Sequence, residues 1–472
     1  MKEAFKIGGL DIFVAIATVS IVLLSMLPLC RAIVILPVLL AAYLLPCMIY
    51  RRMSCYSALG QVSLSIAFVM MAVFSILNLW QSTVVLGSVD APFLLHDAYS
   101  FHRLAQDIAH DTVSVYSPIV PYMGYPYFLS LWVTLGINDI AFPVIVNIFA
   151  LLMTLLLVGR CVVFVVGNTT YTVRMAGYAM MLTAMIPGVM ATATQLSKEP
   201  FVIVSLLLCI NAMYAIKQHY RIALYAIMLL IGLFMLSLCR PTYLYVLLIF
   251  VFVIWLYKFK KVDIAPFVLS LLSVFIALYV GLQISWWGDA QFVGGYVARE
   301  GHASFSYGES QKPFLQLIGE YNEYTNIAKI LILPVTVAVQ FMIPFPFETV
   351  PEAFGMPLSN AYHRMSYLWY LAALPMLLFY VLHWLRIGVV RLNLAAFASA
   401  VAYCVPALIT GGVVSRYAFC FVPLLSIAGS YVLAHFATYN KKQKSICYIF
   451  AMAYLLLLSV ALYIGSHPSV IL

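Results

Sequence analysis

The sequence contains very little charge. Only 9% of its 472 residues are Asp, Glu, Lys or Arg, whereas 65% are hydrophobic. This composition excludes a soluble globular protein and is typical of a chain with many membrane-spanning segments. Long polar segments, low-complexity linkers and internal repeats are lacking as well. We therefore expect a single all-α polytopic membrane domain over residues 1–472, with about 13 transmembrane helices of about 20 residues each.

Cysteine motifs are also lacking. The nine cysteines are scattered, mostly within apolar segments, and none has a CxxC or CxxH spacing. This pattern excludes a disulfide framework and a zinc site, so we interpret the cysteines as small core residues. The residues themselves indicate no metal site and no cofactor.

The few charges that exist are unevenly distributed between alternate loops. With the N-terminus inside, 16 of the 25 Lys and Arg residues fall on the inner side, and 13 of the 16 acidic residues fall on the outer side. The positive-inside rule therefore gives the predicted orientation. The net charge of +9 is then an inner-leaflet anchor and not a nucleic-acid-binding surface. The cationic inner turns are Arg51-Arg52, Arg160 to Arg174, Lys217 to Arg221, Lys258 to Lys261, Arg386 to Arg391 and Lys441 to Lys444.

Two apolar segments need separate interpretation. Ile12 to Leu29 has no convincing small-residue cleavage site, so we expect it to be kept as the first span. Ile327 to Phe347 has acids on both flanks and contains Pro334, Pro344 and Pro346. We therefore expect a re-entrant or surface-lying helix there. The alternative is that this segment crosses the membrane and that another predicted span is wrong.

Polar residues are concentrated on the predicted outer side. Ionisable groups at a membrane boundary are costly unless they are paired, hydrated or used, so their convergence predicts a functional site. They lie in the loop Gln81 to Tyr122, the loop Thr194 to Pro200, the turn Cys239 to Tyr243 and the long outer region Ser285 to Met365, with Arg416 at the outer end of a late span.

The stretch LLHDAYSFHRLAQDIAHD, Leu94 to Asp111, is the most polar part of the first outer loop. Its apolar residues recur at helical spacing, which predicts an amphipathic helix along the outer surface. Asp97 lies at the expected helix start, where a capping carboxylate is common. One interpretation is therefore that Asp97 only caps this helix and that the other polar residues form its solvated face. The apolar positions are Ala98, Phe101, Leu104, Ala105, Ile108 and Ala109.

Several short motifs occur in a fixed order along the chain. They are Asp97 with Tyr99, Gly124-Tyr125-Pro126, Asn147 with Arg160, Pro187 followed by Lys198-Glu199, Arg240-Pro241, and Arg416-Tyr417 followed by Pro423. In this order the chain resembles the integral-membrane glycosyltransferases of the GT-C superfamily, which include protein O-mannosyltransferases and the aminoarabinose transferase of lipid A. The resemblance covers roughly Ile76 to Tyr243 well and the remainder loosely.

This resemblance implies a glycosyltransferase whose active site lies on the outer face of the membrane. It would move a sugar from a polyprenyl-phosphate or polyprenyl-diphosphate carrier to a glycan or lipid acceptor. Asp97 would be the general base for the acceptor hydroxyl. Arg240 and Arg416 would stabilise the departing phosphate, although snorkelling or pairing with an outer acid is the structural alternative for each. The further candidates for substrate binding are Tyr99, His102, Arg103, Lys198, Glu199, His363 and Arg364.

The same resemblance leaves open whether the implied reaction needs a metal ion. Several members carry a second acid directly after the loop aspartate, whereas Ala98 follows Asp97 here. This difference favours a metal-independent reaction, with a divalent cation (Mg²⁺ or Mn²⁺) as the alternative.

Two other functions share some of these features. An O-antigen-type polysaccharide polymerase would use the same class of substrate but transfer a whole glycan block. A lipid-linked oligosaccharide flippase or transporter would place its polar residues along a cavity at mid-membrane depth. The short loops and the lack of retention signals favour a bacterial inner membrane with the site facing the periplasm. An endoplasmic-reticulum membrane with a luminal site has the same topology.

Overall fold

The computed structural model describes residues 8–24, 29–85, 96–110, 124–256, 267–279, 366–385, 397–398 and 420–466, apart from 138, 168, 241–242, 269 and 278. These residues form α-helices joined by short turns, and they include no β-strand. The helices are α1 (Gly9–Leu24), α2 (Leu29–Arg51), α3 (Ala58–Val85), α4 (His96–Ala109), α5 (Gly124–Thr134), α6 (Ala141–Val166), α7 (Thr172–Ala184), α8 (Pro187–Ala193), α9 (Glu199–Lys217), α10 (Ile222–Cys239), α11 (Tyr243–Leu256), α12 (Ser366–Trp384), α13 (Val422–His435) and α14 (Lys441–Ser466).

Six of the described helices are long and apolar enough to cross a membrane, namely α2, α3, α6, α9, α10 and α14. Apolar helices of 10–17 residues include α1, α11 and α13. The predicted class, an α-helical membrane protein with several spans, agrees with these helices. The predicted total of about 13 crossings stays a prediction, and Ile327 to Phe347 lies outside the described residues.

The centre of the bundle is formed by α6 and α9, which pack against each other. Leu151 and Val158 of α6 and Ile203 and Ile210 of α9 are buried completely, because helices surround both. The opposite case is α14, whose apolar residues such as Met452 are mostly exposed. An apolar helix surface without protein contacts is what a helix at the lipid boundary presents.

One end of the bundle collects basic residues, and we call it the basic end. Here the Arg160 guanidinium donates a hydrogen bond to the Ser54 hydroxyl over 3.1 Å and lies 5.3 Å from the centre of the Tyr220 ring. The Lys217 ammonium donates to the backbone carbonyl of Ile254. These contacts join the ends of α2, α6, α9 and α11, so the predicted alternation of cationic turns is consistent with the fold. Which side of a membrane this end faces remains a prediction.

A buried carboxylate links the first three helices close to the basic end. Asp11 pairs with Arg51 and accepts hydrogen bonds from the backbone N–H of Gly8 over 2.9 Å, the hydroxyl of Tyr43 over 3.1 Å and Nε2 of Gln61 over 3.1 Å. A buried charge is tolerated when it is paired and hydrogen-bonded in this way. Arg51 was assigned to the inner side from the sequence, and the structure shows that it binds Asp11.

The turn between α9 and α10 has an unusual backbone. The N–H of Tyr220 bonds the carbonyl of Ala215 over 2.9 Å, and the N–H of His219 bonds the carbonyl of Ile216 over 3.0 Å. This pattern is a Schellman motif, whose left-handed position normally holds glycine. His219 occupies that position with φ 53°, and Arg221 follows with φ 45°. The turn therefore holds two side chains in a conformation that L-residues rarely adopt.

Candidate functional site

Three of the predicted site residues meet at the end of the bundle opposite the basic end. Helices α9 and α10 form an antiparallel pair, so Glu199 at the start of α9 lies beside Arg240, directly after α10. Arg240 Nη1 is 3.7 Å from Glu199 Oε1. Lys198, Glu199 and Arg240 are only 7%, 3% and 6% exposed. We call these three residues the charged cluster.

The local sequence explains why α9 starts at Glu199. Pro200 occupies the first turn of the helix, where its fixed φ and its missing N–H cause no loss. A carboxylate in this turn is favoured by the helix dipole. The Glu199 side chain is also held from the preceding loop, because the hydroxyl of Ser197 donates a hydrogen bond to Glu199 Oε2.

Lys198 connects the charged cluster to the amphipathic helix α4. Its ammonium group lies 5.5 Å from the centre of the Phe101 ring, at a distance typical of a cation–π contact. Phe101 in turn packs edge to face against Tyr125 of α5, with ring centres 5.4 Å apart. The apolar face of α4 therefore rests on α5 and on the loop that carries Lys198.

The amphipathic helix predicted from Leu94 to Asp111 is confirmed as α4. Its predicted apolar positions Ala98, Phe101, Leu104 and Ala105 are buried, while Ile108 and Ala109 are half-buried; Arg103, Gln106 and His110 are exposed. The helix begins at His96, so Asp97 lies within its first turn and not at the capping position. The predicted loop also starts too early at Gln81, because α3 continues to Val85.

The position of Asp97 follows from helix geometry. Residues four apart lie on the same side of a helix, one turn from each other. The backbone of Asp97 therefore lies one turn before Phe101, the residue whose ring contacts Lys198. His102 is half-buried, with its Nε2 3.1 Å from Gln106 Nε2. Arg103 is exposed on a different side of the helix, so the structure does not bring it to the charged cluster.

A buried asparagine supports the loop that carries Lys198. Asn147 of α6 donates from Nδ2 to the backbone carbonyls of Gln195 over 2.7 Å and Ser197 over 3.1 Å, and to the hydroxyl of Tyr125 over 3.3 Å. Asn147 belongs to the motif order found in the sequence, but no role was assigned to it. Ser197 was not predicted at all, because a serine in a short polar loop carries no signal of its own.

The charged cluster also contacts the helices that follow it. The Arg240 guanidinium lies 5.0 Å from the centre of the Tyr243 ring at the start of α11. Tyr243 stacks on Phe421, with ring centres 5.3 Å apart. Phe421 directly precedes α13, so the chain after residue 420 also borders the site.

The remaining predicted site residues are not described in full. The backbones of Asp97 and Tyr99 lie in α4, whereas their side chains lie outside the described part of the structure. His363, Arg364 and Arg416 lie wholly outside the described residues. Their predicted roles therefore stay predictions.

Neither a metal site nor a disulfide is formed by the residues that the structure describes. Among the described residues, no three His, Cys, Asp or Glu side chains are grouped so that they could hold a metal ion. All seven cysteines that the structure describes are buried and form no disulfide with one another. Their interpretation as small core residues is confirmed for those positions.

The fold and the site together define an α-helical membrane protein with a buried charged cluster at one end of its helix bundle. No protein-family model matches the chain, and no curated protein shows significant similarity to it.

Proposed function

We propose that the protein is a membrane glycosyltransferase that uses a sugar on a polyprenyl-phosphate or polyprenyl-diphosphate carrier and a glycan or lipid hydroxyl as the acceptor. The observation that supports this proposal most directly is the charged cluster, with the helix that carries Asp97 packed against it through Phe101 and Lys198. Cations that bind an anionic head group and a carboxylate that activates a hydroxyl are the two elements such a reaction needs.

The depth of the buried charges favours this class over a transporter. In the described part of the chain the buried charged residues are Asp11, Lys198, Glu199 and Arg240. Each lies within three residues of a helix end. A transporter would concentrate such groups at mid-membrane depth, whereas a site for a lipid-linked sugar belongs where the carrier's head group leaves the bilayer.

The proposed reaction is a single displacement at the anomeric carbon. The acceptor oxygen forms a bond to this carbon while the bond from the carbon to the phosphate oxygen breaks. The acceptor proton passes to the Asp97 carboxylate, and the bonding electron pair stays on the lipid phosphate. Arg240 and Lys198 stabilise the negative charge that develops on the phosphate oxygens. A single carboxylate without a positioned nucleophile predicts inversion at the anomeric carbon.

An Asp97→Asn substitution tests this proposal. The purified protein is reconstituted in liposomes with labelled polyprenyl-phosphate and polyprenyl-diphosphate sugars, and transfer and donor binding are measured separately. Because general-base catalysis contributes about 10²–10⁴-fold, we expect transfer to fall by about this factor while donor binding is retained. Asp107→Asn is the matched control, since it makes the same change on the same helix and should keep activity.

The outcomes separate the alternatives. Full activity of Asp97→Asn would show that Asp97 is not the base. Products that grow by whole glycan blocks would identify a polysaccharide polymerase. Absence of transfer by the wild-type protein from both donor series, with label moved across the bilayer instead, would replace the proposal by a flippase.

A further inference from the structure

Asn147 of α6 contacts two other segments that form the candidate site. Its side-chain amide lies between the loop of residues 194–198 and Tyr125 of α5, and it is completely buried. The NH₂ group has two hydrogens and three acceptors within 3.3 Å, so one hydrogen is shared. The two loop carbonyls that it binds, those of Gln195 and Ser197, lie on either side of Leu196.

These hydrogen bonds determine where the charged side chains emerge. Ser197 is fixed through its carbonyl by Asn147, and its hydroxyl binds Glu199. Lys198 lies between these two residues and reaches Phe101 of α4. Releasing the two carbonyls would therefore free both the cation and the carboxylate of this loop.

We infer that Asn147 is a positioning residue that holds residues 195–199 so that Lys198 faces the reacting phosphate while Glu199 stays paired with Arg240. The structural part of this inference concerns the loop alone. Its kinetic part rests on the proposed function. Asn147 acts on the loop through backbone carbonyls, and it is the loop that presents the charged side chains.

A second asparagine of the bundle provides a matched control. Asn211 of α9 is also completely buried, and its Nδ2 also donates to two backbone carbonyls, those of Leu157 over 3.1 Å and Leu207 over 2.8 Å. Asn211 lies 12 residues along α9 from Glu199, a distance of about 18 Å at 1.5 Å per residue. Both asparagines are thus buried amides that donate to two backbone carbonyls, and of the two only Asn147 adjoins the candidate site.

Asn147→Asp removes the amide donors at nearly constant volume. The carboxylate oxygens that replace the NH₂ group would face the carbonyl oxygens of Gln195 and Ser197, which can only accept hydrogen bonds. Asn211→Asp makes the same change in the same kind of environment. Asn147→Ser keeps one donor and provides a second variant if Asn147→Asp does not fold.

The first measurement does not depend on catalysis. Lys198 is almost completely buried, so reductive methylation in detergent should spare it, whereas the exposed Lys441 and Lys442 should react and serve as internal standards. We expect Asn147→Asp and Asn147→Ser to make Lys198 reactive, as measured by peptide mass spectrometry. Asn211→Asp should leave Lys198 protected.

The second measurement is the kinetic effect on sugar transfer. A displacement of about 1 Å at a reacting centre can lower a rate by about 10²-fold. We therefore expect Asn147→Asp to lower kcat by about this factor with a smaller change in KM, and Asn211→Asp to keep the wild-type kcat.

Each outcome bears on the inference. Protection of Lys198 in both Asn147 variants would overturn it, and so would equal exposure of Lys198 in Asn147→Asp and Asn211→Asp. Exposure of Lys198 in the Asn147 variants alone would support the holding role. If the wild-type protein then transferred no sugar, the positioning of the loop would stand and the proposed reaction would fail.

Discussion

The ion pair between Glu199 and Arg240 allows a quantitative prediction of stability. At 3.7 Å and an effective dielectric constant of about 20, two unit charges attract by about 4 kcal/mol. Removing one partner leaves the other charge buried, which typically costs about 3–5 kcal/mol. We therefore expect Glu199→Gln and Arg240→Gln each to lower the free energy of unfolding by about this amount.

The double variant, Glu199→Gln with Arg240→Gln, separates the energy of the ion pair from the energy of the other contacts that its two residues make. Arg240 also contacts the Tyr243 ring, so part of its contribution is independent of Glu199. Because the double variant leaves no unpaired charge from this pair, it should lose less than the sum of the single variants. We expect a coupling energy of about 2–4 kcal/mol, measured by reversible unfolding in bicelles.

A second double-mutant cycle, between Glu199 and Lys217, provides the control for this coupling energy. Lys217 lies 18 residues from Glu199 at the other end of α9, about 27 Å away. Glu199→Gln and Lys217→Gln should therefore be additive within about 0.5 kcal/mol. If the Glu199–Arg240 cycle gave a coupling as small as this control, the pair would contribute nothing measurable and the electrostatic argument would be refuted.

Two further predictions concern backbone positions. A methyl group added at Gly124 would lie 2.5 Å from Leu238 Cβ and 2.6 Å from its carbonyl oxygen, so Gly124→Ala should cost about 1–3 kcal/mol of unfolding free energy. Gly9→Ala, where nothing lies within 4 Å, is the control, and equal stability of the two would contradict this. His219→Gly should raise the unfolding free energy by about 1 kcal/mol, because it removes a side chain from a left-handed position. Gln218→Gly, at φ −88°, should not stabilise the protein, and a thermal-shift series distinguishes the two.

The sequence was sufficient to predict the helix α4 and its buried side. The apolar residues at 98, 101, 104 and 105 repeat with the period of a helix, and this local signal survives in the fold because these four residues are the ones that α4 buries among its described side chains. Its first residue was less predictable, since helix ends depend on contacts of one or two residues. The same reason explains why α3 continues through the polar residues after Gln81.

The burial of the charged cluster was not predictable from local pattern. The loop TQLSKEP contains five polar residues, which by themselves indicate exposure to water. Lys198 and Glu199 are buried because α4, α5 and α10 surround this loop, and that arrangement is set by tertiary packing. The ion pair between Asp11 and Arg51 was equally unpredictable from the sequence. The two residues are 40 positions apart, and only the packing of α1 against α2 brings them together.

The antiparallel arrangement of α9 and α10 has a consequence for biosynthesis. Glu199 and Arg240 flank one helical hairpin at the same end, so opposite charges reach the same depth when the hairpin inserts as a unit. Ionisable groups at a membrane boundary are costly unless they are paired. At about 5–20 residues per second, synthesis of Arg240 follows that of Glu199 within seconds. The nascent hairpin therefore carries its own counter-ion, before any later helix of the site has been made.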